Sequence, residues 1–201
     1  MKLFLRAHHA SAVIAAGVGL MIAAWWLAGS TLPVPQLMQG RAAPVAVEML
    51  LTVLYAPLIA YSFGGVALRV EHGTRRSLLG PDLCLIAVVG APVLAVVVLA
   101  AANGDGGFGA TIGRDAMAFI GGALLLLTAF GESTAVAGPV LYFFVVSLLG
   151  SQPDGSAQWW AVLRAPATPA TVAAAFVVLA AGVVIFHLRA RQTAGERVSR
   201  V

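Results

Sequence analysis

Long apolar runs, separated by short polar or glycine- and proline-rich stretches, set the pattern of this 201-residue chain. About 20 apolar residues of helix cross about 30 Å of hydrocarbon. Six runs meet or approach that length, at 10–28, 43–68, 83–102, 116–130, 134–149 and 171–188. They are continuous and do not alternate with period two, which excludes a membrane β-barrel pattern. The predicted fold class is all-α: a single polytopic transmembrane domain over 1–201 with six transmembrane helices. Trp25 and Trp26 stand near the end of the first run, at the depth of an aromatic belt. Runs four and five are short and share one polar break, Gly131-Glu132-Ser133, so a re-entrant pair is the alternative there. Pro57, Pro92 and Pro139 lie inside runs two, three and five and predict kinks. Glycines at 17, 19, 64, 65, 121 and 122 allow close helix contact.

Composition strengthens this reading. The chain is 60% apolar and 10% charged, where soluble domains carry about 25% charged residues. The first run is longer than the apolar core of a signal peptide, so it is read as a retained helix. Cys84 is the single cysteine and cannot form a disulfide within the chain. The net charge of +4 follows from topology and calls for no nucleic-acid partner. With the N-terminus inside, six spans put Lys2, Arg6, Arg69, Arg75, Arg76, Arg189, Arg191, Arg197 and Arg200 on the cytoplasmic face. Arg41, Arg114 and Arg164 then face outward. That asymmetry fits the positive-inside rule, with both termini cytoplasmic and the plasma membrane as location. Outer connections are LPVPQ at 32–36, NGDGGFG at 103–109 and the long SQPDGSAQWW stretch from 151.

Candidate chemistry is sparse. Lys2 is the only lysine, so no G-x-x-x-x-G-K-[ST] phosphate loop exists, and neither H-E-x-x-H nor G-x-S-x-G occurs. No catalytic residue, metal site or resident cofactor is expected, and the chain is not read as an enzyme. His8, His9 and His187 read as headgroup-level residues. Glu48, one turn inside the outer end of run two, is read as a carboxylate snorkelling to water, with a pair to Arg41 or a contact for a transported substrate as the alternatives. Arg114-Asp115 is placed at the outer start of run four, where Asp115 suits the helix dipole, and Glu132 is given the cap of run five.

The one charge-dense segment between apolar runs is Gly64 to Asp82, with Arg69, Glu71, His72, Arg75 and Arg76 inside eight positions. Thr74 is a natural N-cap for a short helix over 75–79, with Gly80-Pro81 as its stop and Asp82 capping the next span. The stretch VEHGTRRSLL resembles the E-x-G-T-x-x-x-L-L motif of the type-2 ABC exporter permease family, with Glu71, Gly73, Thr74, Leu78 and Leu79 at the motif positions. The resemblance implies a coupling helix through which a separate ATP-binding cassette subunit, carrying ATP and Mg, docks on Arg69, Glu71, Gly73, Thr74, Arg75, Arg76, Leu78 and Leu79. It also implies a second permease copy or related permease, and export of an apolar or amphipathic substrate such as a lipid, antibiotic or peptide. A non-transporting membrane scaffold is the competing reading. The N-terminal segment before run one is shorter than the amphipathic elbow that family members carry.

Overall fold

A computed structural model describes residues 10–36, 40–63, 79–152, 154 and 156–198. The chain is mostly helical. Helix α1 spans Ala10–Trp26 and leads into a hairpin of β1 (Thr31–Gln36) and β2 (Arg41–Ala46). Helices α2 (Val47–Val53), α3 (Tyr55–Phe63), α4 (Leu79–Ala102), α5 (Gly106–Phe130), α6 (Glu132–Leu149) and α7 (Pro169–Val198) follow.

The hairpin corrects the expected start of the second span at 43, because the chain is extended through Ala46. Three prolines explain it. Pro33 and Pro35 on β1 and Pro44 on β2 disfavour helix and lack a donor. The register pairs Pro33 with Pro44 and Pro35 with Ala42. The Val47 N–H donates to the Ser30 carbonyl at 3.0 Å, which fixes the phase of the ladder. Hydrogen-bonded pairs alternate with non-bonded ones in an antiparallel ladder, so all three prolines fall at positions that need no donor. The remaining half of that span then breaks at Leu54, where α2 ends and α3 begins. Pro57 is the cause: it cannot bond the Val53 carbonyl four residues back, and its ring crowds it.

Other boundaries move outward from the apolar runs. Helix α4 is continuous from Leu79 through Gly80-Pro81-Asp82, so that triplet neither stops one helix nor caps another. Helix α5 starts ten residues before 116, because Asp105 caps it and accepts the Phe108 N–H at 3.4 Å. Its 25 residues reach about 37 Å, and α6 has 18. Gly131, at φ 95°, makes the whole turn between them; Glu132 is the first residue of α6 and makes no side-chain cap. Helix α7 continues past 188 to Val198.

Among the described residues three helices are long and apolar enough to cross a membrane: Gly106–Phe130, Glu132–Leu149 and Pro169–Arg189. Ser11–Trp26, Val47–Phe63 and Ile86–Ala102 are shorter apolar helices. Aromatic and polar contacts mark two distinct ends of the bundle. Trp25 meets Phe108 edge-on at 6.0 Å, which puts the hairpin beside the start of α5. At the far end Phe63 meets Phe186 at 5.1 Å, and Arg189 donates to the Thr128 carbonyl.

Helix α5 is the hub. It packs against α2, α3, α4, α6 and α7, and 56% of its most apolar stretch is buried, against 11% for α7. Two glycines set the α5–α7 crossing. A Cβ on Gly121 would lie 2.5 Å from the Leu179 Cα, and one on Gly182 would lie 2.6 Å from the Gly121 carbonyl oxygen. Backbone meets backbone there, and neither side can yield without moving a helix. Gly121→Ala is therefore expected to lower stability by about 1–3 kcal/mol through overpacking. Gly122→Ala meets nothing within 4 Å and should be neutral or slightly stabilising. Thermal unfolding of the two detergent-solubilised variants checks the difference.

Candidate functional site

The residues of the expected docking segment divide. Arg69, Glu71, Gly73, Thr74, Arg75, Arg76 and Leu78 lie outside the described residues, and Leu79 is the first residue of α4. What the structure does assemble is a layer of buried polar groups at the hairpin end.

Its centre is Arg114, nine residues beyond the Asp105 cap. Helix α5 places it and Asp115 at 1% exposure each, which corrects their expected position at the helix start. The Arg114 Nε donates to Asp115 Oδ1 at 2.8 Å, and Nη2 lies 2.8 Å from the same oxygen. Nη2 also donates to the Leu163 carbonyl at 2.8 Å, and Nη1 to the Ala165 carbonyl. One guanidinium thus binds a carboxylate and grips the 161–165 loop on both sides of Arg164. The planar fork with its five donors suits that task in a way a lysine does not.

Arg164 extends the layer. Its Nη1 donates to the Ser147 carbonyl at 3.3 Å and its Nη2 to the Pro44 carbonyl at 3.4 Å. It thereby ties the loop to the end of α6 and to β2. Burial pulls this guanidinium below the usual arginine value, yet it keeps its proton. Gln36 Nε2 donates to the same Ser147 carbonyl, and the Tyr142 hydroxyl donates to the Trp160 carbonyl at 3.0 Å.

Glu48 sits in the first turn of α2 at 9% exposure. It does not snorkel to water. It lies within electrostatic range of Asp115, and its neighbours Val45 and Met49 pack with Val146 and Leu163 in one apolar cluster. Three buried atoms in this layer have no hydrogen-bond partner among the described residues: Gln36 Oε1, Glu48 Oε2 and Ser147 Oγ. Among the described residues no three His, Cys, Asp or Glu side chains are grouped to hold a metal ion.

Sequence reasoning singled out Glu48, and two of the three arginines assigned outward, Arg114 and Arg164, meet in this layer. It did not find Gln36 or Ser147. An adjacent Arg-Asp pair inside an otherwise apolar stretch was the available signal for burial, since such ions are costly unless paired. Nothing in LPVPQ marks its glutamine as a core residue. No protein-family model, no curated protein and no solved structure matches the chain.

Two outcomes are expected. Arg114→Met leaves Asp115 buried without its partner, a loss of about 3–5 kcal/mol. Adding Asp115→Leu should restore part of it, and tryptic cleavage after Arg164, which reports loop release, should track the same order. At the loop tip, Asp154 Oδ1 accepts the Ser156 N–H at 2.9 Å and its hydroxyl at 2.8 Å, which holds the exposed carboxyl below the ordinary aspartate range. A depressed pKa contributes stability above the unfolded value and loses it as pH falls through the folded one. Protection of the Ser156 amide proton, its exchange rate relative to a free peptide at the same pH, should therefore be lost only when acidification reaches the range below a free aspartate.

Proposed function

We propose that this chain is the membrane-spanning permease subunit of an ATP-driven exporter in the plasma membrane. In this reading it crosses six times with both termini in the cytoplasm. The observation that carries it is the charge-dense connection between α3 and α4, whose VEHGTRRSLL sequence resembles the type-2 exporter coupling motif. Two features support it. The connection leaves from Phe63, at the end of the bundle opposite the polar layer. Nine basic residues fall on that face in the six-span topology and three on the other.

The mechanism follows from coupling between sites. A separate cassette subunit binds ATP and Mg and docks on the segment from Arg69 to Leu79. Its two nucleotide states bind that segment with different affinity, and only such a difference can shift the permease between conformations. Helices α3 and α4 flank the segment and carry the movement upward. A second permease copy or a related permease completes the path, and the exposed apolar face of α7 provides lateral surface for it. The path is apolar over most of its length, which suits an apolar or amphipathic cargo.

Purification of the tagged protein from its native membrane should bring down an ATP-hydrolysing subunit. Glu71→Arg should abolish export while leaving the permease folded. Purification with a membrane protein but no ATPase, or export unchanged in Glu71→Arg, would favour the scaffold reading instead.

A further inference from the structure

The three partnerless atoms of the polar layer share a chemical property. Gln36 Nε2 faces the Ser147 carbonyl, an acceptor only. That contact fixes the orientation of the amide, so Oε1 is the orphaned atom and needs a donor. Glu48 Oε2 is a carboxylate oxygen with the same need, and Ser147 Oγ can accept as well as donate. Gln36 is 1% exposed, Ser147 2% and Glu48 9%, so bulk water does not satisfy them. Buried polar groups are almost always hydrogen-bonded, and each exception calls for an explanation.

Charge narrows the class of ligand. Among the described side chains the layer holds Arg114 and Arg164 against Asp115 and Glu48, two positive groups and two negative. A cationic ligand would leave a net charge buried beside Arg164, and an anionic one would find its acceptors facing acceptors. A neutral group that donates hydrogen bonds meets neither penalty.

We infer that the layer formed by Gln36, Glu48 and Ser147 beneath residues 161–165 is a binding site for neutral hydrogen-bond donors, hydroxyl or amide N–H, carried by an amphipathic ligand. The site deepens the exporter reading, on which its role as a cargo site rests, by naming what the head of the cargo presents. Its apolar surroundings, Val45, Met49, Val146 and Leu163, accept the less polar part of that head. Arg114 and Arg164 hold the covering loop in place and so position the site without belonging to its open acceptor set.

Binding is measured on the purified chain without any ATPase, so this inference and the exporter reading fail separately. The full-length protein is prepared in an amine-oxide detergent, which offers no donor of its own. It is titrated with 1-monooleoylglycerol, and in parallel with methyl oleate, which has the same chain and no hydroxyl. Thermal midpoint and tryptophan emission are read at each step. The expected result is saturable stabilisation by the glyceride alone. Gln36→Met and Glu48→Leu each remove one acceptor and should weaken it by roughly tenfold or more. Ser147→Ala, the smallest change, covers the case in which a larger substitution fails to fold. Leu94→Ala, on the exposed face of α4, should leave binding unchanged. Equal response to both lipids, no saturable response to either, or glyceride binding unaltered in all three site variants would overturn the proposal and leave the orphaned atoms to water.

Discussion

One guanidinium organises the hairpin end of this protein. Arg114 and Asp115 leave water together, at a cost of several kcal/mol per ion, and the pair is tolerable because the guanidinium meets a carboxylate oxygen and two carbonyls. The carboxylate takes two of the donor positions, and the carbonyls of Leu163 and Ala165 take others. The loop after α6 therefore cannot be repositioned without uncovering a buried charge. Arg164, presented between the two gripped carbonyls, then reaches the Ser147 and Pro44 carbonyls. Four separate parts of the chain (β2, α5, the end of α6 and the loop) meet through two arginines.

The rest of the bundle is consistent with that fixed end. Helix α5 carries Arg114 and is also the most enclosed of the three long apolar helices. Lower down, Gly121 and Gly182 bring α5 and α7 into backbone contact, a mode of packing that suits lipid, where burial of apolar side chains offers no advantage over the surrounding tails. At the opposite end Arg189 reaches the Thr128 carbonyl in the last turn of α5, where carbonyls lack helical partners. Polar side chains thus secure both ends, and close packing of small residues secures the middle.

Much of this was legible from residue patterns, but not all. Each apolar run became helix over most of its length, and three are long enough to cross a membrane. Gly29, at φ 76°, lies in the turn that follows α1. Hydropathy is blind to proline: Ala42 to Ala46 is apolar, yet Pro44 opposite Pro33 makes it a strand and not the start of a span. The start of α5 is hidden for the converse reason. Glycines at 106, 107 and 109 read as loop, but Asp105 supplies the cap and Gly109 fits against Val97 and Ala100 of α4. In the site, Glu48 is visible as an intramembrane carboxylate, and its burial is not, because the cluster that its neighbours Val45 and Met49 join draws Phe119 from α5 and Phe143 and Val146 from α6. Gln36 and Ser147 meet across 111 positions of sequence, a distance that local pattern cannot bridge.

The account requires the polar layer and the charge-dense connection to lie on opposite faces of the membrane. Sided cysteine labelling in intact cells, on a Cys84→Ser background, tests this directly. A cysteine at Ser156 should react with a membrane-impermeant maleimide from outside, and one at Thr74 should react only after the cells are permeabilised. Labelling of both positions from the same side would contradict the account.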